Sequence, residues 1–183
     1  TEEEVRAPVV VDASGQSTML ISRLGLREWD PKLRKAALWT YWENAQRDEG
    51  KNGGATLVIQ SYERNGWFWF IPQHNNIVSI GIVADFNYLF RDHPEKEHEA
   101  IYNYEVDRCP GLKERLTNAK RVEPFRAQKE YSYQARQGGG DGWVTIGDAF
   151  GFLDPLYSAG VLLARKSGSL AADAISDGLA KGD

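Results

Sequence analysis

The sequence predicts two architectures in one chain: an α/β part built on parallel strands, combined with an antiparallel sheet and flanking helices in an α+β arrangement. Three stretches carry this. Near the start, Ala7 to Gly15 (APVVVDASG) has three consecutive valines ending in a polar turn, the pattern of a short strand covered on both faces in a parallel sheet. Near the end, Gly142 to Ile146 (GWVTI) reads as a buried strand. It runs into Gly147-Asp148, crosses a turn-rich segment with Asp154-Pro155 and opens a helix at Ser158-Ala159-Gly160-Val161. Between these ends, β-branched and aromatic runs are joined by tight polar turns, as in successive antiparallel strands.

Taken in order, Gln16 to Gly25 predicts a short helix containing Met19, Leu20 and Leu24, stopped by Gly25. Pro31 to Arg47 contains good helix formers, but Leu38, Trp39, Tyr41 and Trp42 fit a strand equally well. Lys51 to Gly54 is a turn, and Ala55 to Tyr62 alternates as a strand. Asn65-Gly66 is the strongest hairpin signal in the chain. Beyond it lie Trp67-Phe68-Trp69-Phe70-Ile71-Pro72, a turn from Gln73 to Asn76, and a strand from Ile77 to Ala84. Period two puts Trp67, Trp69 and Ile71 on one face and Phe68 and Phe70 on the other. By pattern alone this is a central strand packed on both sides. Pro94 to Val106 reads as a charged helix, broken at Cys109-Pro110-Gly111 and followed by a second short one. Val122 to Gln137 is extended, with Tyr131 and Tyr133 two apart. Gly138 to Gly142 reads as a flexible turn. It does not satisfy G-x-G-x-x-G, because Trp143 takes the last position and a strand follows in place of a helix.

Composition narrows the functional classes. The 183 residues are 42% hydrophobic with six Trp, enough for a substantial core. A net charge of −4 argues against a nucleic-acid partner. The basic residues Lys113, Arg115, Lys120, Arg121, Arg126 and Lys129 are interrupted by Glu114, Glu123 and Glu130, as on a solvated face. A single cysteine, Cys109, cannot form an intrachain disulfide, and the start of the sequence lacks the basic and apolar regions of a signal peptide. No apolar run approaches the ~18 residues of a membrane-spanning helix. These features predict a cytoplasmic protein without an integral membrane segment. His93 and His98, five apart, point to different helix faces and His74 stands alone, so no metal site is expected.

The strand, turn and helix of residues 142–175 bring chemistry to one mouth. The first N–H groups of a helix lack intrahelical partners and carry the positive end of its dipole, so they suit an anion or a polarised carbonyl oxygen. Asp148, acceptor-only when ionised and placed at a strand's carboxyl end, suits a ligand offering hydroxyls.

Residues 147–161, GDAFGFLDPLYSAGV, match G-D-A-x-G-F-x-D-P-x-x-S-x-G-V and precede an Ala-rich helix. This resembles the second FAD-binding motif of flavoprotein monooxygenases of the hydroxybenzoate-hydroxylase type, and is most similar to the flavin-dependent halogenases and geranylgeranyl reductases. Trp67-x-Trp69-x-Ile71-Pro72 matches the W-x-W-x-I-P motif of the halogenases. The resemblance implies a discontinuous, Rossmann-like FAD-binding layer, residues 1–27 and 138–183, around a substrate domain, residues 28–137. It puts Asp12, Ala13, Gly15, Gly147, Asp148, Pro155, Ala159, Gly160 and Val161 at FAD, with Asp148 on the ribityl chain. Trp67, Trp69, Ile71 and Pro72 would line the space between flavin and substrate. A halide would sit on the backbone N–H groups of Ala159 and Gly160, although Ser158-Ala159-Gly160 departs from the Ser/Thr-Ser/Thr-Gly common in halogenases.

The implied reaction uses reduced FAD, oxygen and halide to make a hypohalous acid that meets an aromatic or apolar small molecule, with a flavin reductase or other electron donor as partner. No catalytic side chain is named, because the cofactor carries the redox chemistry. Family members begin with a strand–GxGxxG–helix unit that this sequence lacks, so the resemblance is to the middle and later part of a longer protein. A geranylgeranyl-reductase-like reduction of a prenyl chain and a non-catalytic interaction domain are the alternative readings.

Overall fold

The structure is a computed structural model describing residues 3–129 and 132–182, and the chain divides into two compact units, Thr1–Leu33 with Tyr131–Asp183, and Arg34–Glu130. The first unit opens with strand β1 (Val10–Asp12), helix α1 (Met19–Arg23) and strand β2 (Arg27–Trp29). The second holds β3 (Lys35–Glu43), β4 (Leu57–Gln60), β5 (Gly66–Pro72), β6 (Ile77–Asp85), α2 (His98–Asp107), α3 (Pro110–Arg115), β7 (Lys120–Arg121) and β8 (Arg126–Lys129). The chain then returns to the first unit with β9 (Tyr133–Ala135), β10 (Gly139–Gly140), β11 (Trp143–Thr145), β12 (Gly151–Phe152) and α4 (Gly160–Lys181).

In the first unit β1 runs parallel to β11, with Val10 opposite Trp143 and Asp12 opposite Thr145. The expected parallel pairing is present; within the span of this chain β1 is not covered on both faces. Val10 and Val11 are each 44% exposed, because β1 is the edge of the three-stranded order β1-β11-β10. The glycine run from Gly138 is likewise more than a turn. Gly142, at φ +71°, reverses the chain so that β10 pairs antiparallel with β11. A second small sheet, β12-β9-β2, packs Tyr133 and Ala135 with Ile21 of α1. Residues 28–33 and 132–137 therefore belong to this unit, although the resemblance implies 28–137 for the other; the pairing of β2 with β9 sets the division. Tyr131 lies outside the described residues.

The second unit is a sheet in the order β4-β5-β6-β3-β7, with β8 also on β3. Leu38 to Trp42 is strand, since β3 pairs with β6 along its whole length, from Lys35 opposite Asp85 to Glu43 opposite Ile77. Tertiary pairing overrides the local ambiguity of that segment. One sheet face carries Leu38, Phe68, Phe70, Val78, Ile80 and Ile82, all buried with Ile101, Tyr102 and Val106 of α2 and Leu112 of α3.

The β4–β5 hairpin exists, but its turn is not Asn65-Gly66. The left-handed residues are Glu63 and Arg64, at φ 52° and 61°. Gly66 is already in β5, where a Cβ would stand 2.3 Å from the Val83 carbonyl oxygen, so its glycine serves close strand approach. The β5–β6 turn does match expectation, with Asn75 and Asn76 left-handed at φ 54° and 58°. A wide helical turn at Asn87–Arg91, which no sequence signal announced, leads from β6 towards α2.

His93 is structural, as expected: it is buried, with Nε2 3.3 Å from Oε1 of the buried Glu105, and Nδ1 accepts the Glu95 N–H at 3.1 Å. Tyr88 donates to the same Glu105 oxygen at 2.7 Å, and burial together with that carboxylate pushes the phenol up to about 12. His74 and His98 are exposed. Among the described residues there is no cluster of His, Cys, Asp and Glu that could hold a metal, and no helix long and apolar enough to cross a membrane.

Candidate functional site

In the first unit the chain leaves β11, makes a tight turn at Gly147–Ala149, and meets α4 side-on. Gly147 has φ +57°, and a Cβ there would lie 3.1 Å from the Ala164 Cβ, so the turn seats close against the helix. Ser167 fastens this contact. Its hydroxyl accepts the Gly147 N–H at 2.9 Å and reaches the Leu163 and Ala164 carbonyl oxygens at 2.9 and 3.0 Å. From the other side Tyr133 donates to the Asp148 carbonyl oxygen at 2.6 Å, and burial raises this phenol to about 12, which keeps it a donor. The Gly15–Ser17 turn also packs against Gly147–Ala149.

Two aspartates close to this turn have opposite roles. Asp12 is buried, and both carboxylate oxygens are committed: Oδ1 to the Ser14 N–H at 2.9 Å and Oδ2 to the Leu20 N–H at 2.8 Å. Burial pushes the Asp12 carboxyl up, but the Leu20 and Ser14 hydrogen bonds more than offset this and leave it below the usual carboxylate range. With Ser14, whose Oγ accepts the Met19 N–H at 2.9 Å, Asp12 caps α1. Asp148 is half-buried, and its carboxylate has no hydrogen-bond partner among the described residues. Burial raises it above the ordinary aspartate value. A partly desolvated carboxylate whose oxygens are not committed to the protein can accept hydrogen bonds from a ligand.

Downstream, Asp154 Oδ1 accepts the Leu156 N–H at 2.7 Å, so Asp154 shapes the turn that carries the half-buried Pro155. Ser158, at φ 52°, turns the chain into α4. Leu163 N–H bonds to Ala159 O at 3.0 Å, the first bond of the helix. The N–H groups of Gly160, Val161 and Leu162 precede that bond and make none among the described residues. Ala13 is exposed, Gly15 half-buried and left-handed at φ +62°, and Val161 is 75% exposed. The nine predicted cofactor positions thus all fall in one unit, with Gly147 and Asp148 against Gly15 and the second turn of α4, and Ala159 to Val161 one turn earlier on that helix.

In the second unit the sheet face opposite the core is aromatic. Trp67 and Trp69 are half-buried with ring centroids 6.3 Å apart, and Trp69 stands 6.0 Å from Trp39 of β3. Ile71 follows on the same face, opposite Ser79, whereas Pro72 ends the strand at the parity of Phe68 and Phe70. Phe68 and Phe70, at 0% and 1% exposure, lie in the core, so the two faces of β5 are unlike despite their equal hydrophobicity in sequence. Trp39, Ser79 and Gly81 share the tryptophan face, a placement that the sequence alone does not predict. Only Gly81, a glycine inside a β-branched strand, carried a signal.

The profile of the tryptophan halogenase family matches residues 1–182. The chain is 34% identical over 181 residues to the 1H-pyrrole-2-carbonyl-[peptidyl-carrier protein] brominase of Pseudoalteromonas luteoviolacea, covering 97% of this chain and 44% of that protein. It is 33% identical over 185 residues to the corresponding chlorinase of Pseudomonas fluorescens, covering 98% and 40%. The solved structure of the flavin-dependent brominase Bmp2 superposes with a TM-score of 0.89 at 32% identity, over 98% of this chain and 45% of that one. The chain therefore spans less than half the length of these relatives.

Proposed function

The chain belongs to the tryptophan halogenase family, and from that premise we propose that the protein is an FAD-dependent halogenase acting on an electron-rich aromatic ring. The observation that carries this is Asp148, a half-buried carboxylate raised by burial and with no hydrogen-bond donor among the described residues, on a turn seated against α4. It fits the hydroxyls of a ribityl chain, which would supply the missing donors. Gly15, where a Cβ would meet nothing within 4 Å, leaves room for the cofactor while Gly147 seats the turn against α4, and the N–H groups at the start of α4, unpaired among the described residues, meet its polar oxygens or a halide. Asp12 acts at one remove by holding the loop of Ala13 and Gly15 in shape.

Bound FAD supplies the oxygen and halide chemistry; this chain's own residues bind, orient and exclude water. Ala159 and Gly160 are the proposed halide contact. Trp67, Trp69 and Ile71, joined by Trp39, offer flat apolar surface on which an aromatic ring can stack. Two relatives are named for a pyrrole-2-carbonyl group on a peptidyl-carrier protein, which favours a small aromatic substrate, free or carrier-bound, over a prenyl chain. Reducing equivalents come from a flavin reductase or other electron donor. A cytoplasmic setting fits the free thiol of Cys109.

The test supplies the full-length protein with FAD, a flavin reductase, bromide or chloride, and phenol, indole and pyrrole as probes. Mass spectrometry should find a probe carrying one halogen. A hydroxylated probe with no halogen would place the protein among the monooxygenases.

A further inference from the structure

The tryptophan face has one gap in its row of side chains. Gly81 stands opposite Trp69 on one side and Trp39 on the other. A Cβ at Gly81 would lie 2.3 Å from Cζ2 and 2.5 Å from Cη2 of Trp69, and 2.5 Å from the Trp39 Cβ. The Trp69 indole therefore lies across the β6 backbone in the space a side chain would fill. Its Nε1–H donates to the Ser79 Oγ at 3.1 Å, two residues further along the same face, and Ser79 is itself buried. An indole free of such constraints has several staggered χ1 states and a broad χ2. The slot at Gly81 and the acceptor at Ser79 hold it in one orientation.

We propose that Ser79 and Gly81 are positioning residues that fix the Trp69 indole and thereby set which aromatic rings the tryptophan face accepts. This rests on the reading of that face as a substrate wall. Covering a strand glycine with an aromatic ring also serves sheets that bind nothing. A purely structural role moves stability alone, whereas a positioning role moves the choice between ligands and acts only through Trp69.

The experiment measures the affinities of indole and phenol for the full-length protein by ligand-observed NMR, alongside the near-UV circular dichroism of the neighbouring indoles. Ser79→Ala should change the indole-to-phenol affinity ratio about fivefold, the scale of one hydrogen bond, and weaken the indole dichroism. Ser79→Thr, which keeps the hydroxyl, should restore both. In a Trp69→Phe background Ser79→Ala should add nothing. If Trp69→Phe changes the ratio while Ser79→Ala does not, or Ser79→Ala acts equally in both backgrounds, the positioning role is overturned and the substrate wall stands. If neither variant changes the ratio, the substrate wall itself is wrong. Gly81→Ala should reproduce the Ser79→Ala shift in ratio; if it does not fold, the Ser79 series decides.

Discussion

Asp12 and Asp148 lie in one unit and differ in what their oxygens meet, so removing each has a different consequence. Asp12→Ala leaves the Leu20 and Ser14 N–H groups without their acceptor and should cost about 1–2 kcal/mol by thermal or urea unfolding. The Asp148 carboxyl is raised by burial, so the folded state holds a proton more tightly there than the unfolded state does. The stability this group contributes is present below the ordinary aspartate range and lost as pH rises through its raised value. Asp148→Asn should therefore leave the thermal midpoint at neutral pH unchanged or higher. Flavin affinity should have the opposite dependence, since in the proposed complex ribityl hydroxyls would donate to the ionised carboxylate. Affinity should weaken as pH falls through the Asp148 titration, and Asp148→Asn should flatten that part of the profile; a wild-type affinity that strengthens in acid would contradict the assignment. Gly147-Asp148 was legible because its neighbours form an ordered motif. Ser79 was not, and Gly81 showed only as a glycine inside a strand, because a partner on the adjacent strand is set by register, which the sequence of one strand does not reveal.

The elements divide along the same line. Strand β5 was legible in position and period, yet its two apolar faces looked alike until the helices were in place. Because Phe68 and Phe70 lie in the core under α2, Phe68→Ala and Phe70→Ala should each cost about 3–5 kcal/mol. Trp67→Ala and Trp69→Ala, on the half-buried face, should cost less while changing substrate choice. Four urea midpoints at unchanged m-value make the comparison, and tryptophan variants as unstable as the phenylalanine ones would strip the tryptophan face of its functional reading. Helix α4 offers a second case. Ser167→Ala removes the acceptor of the Gly147 N–H and should lower stability by about 1–2 kcal/mol while also weakening flavin binding, because the turn carrying Asp148 loses its fastening. That contact was invisible in sequence, being a side chain twenty positions along the chain bonding to a backbone group.

At the scale of the whole molecule, the mixed architecture was legible in the strands at the two ends of the chain, the antiparallel sheet between them and the closing helix, whereas the pairing of β1 with β11 and the Glu63-Arg64 turn were not. The division between units moved by a few residues because β2 and β9 find each other across more than a hundred positions, a pairing local pattern does not encode. We propose Asp148 as the carboxylate that holds a flavin. The most direct measurement is an equilibrium titration of FAD into the full-length protein and its Asp148→Ala, Asp12→Ala and Asp154→Ala variants. The predicted result is saturable binding weakened about ten- to a hundredfold by Asp148→Ala and far less by the other two. Equal losses at all three aspartates, or no binding by the unsubstituted protein, would contradict it.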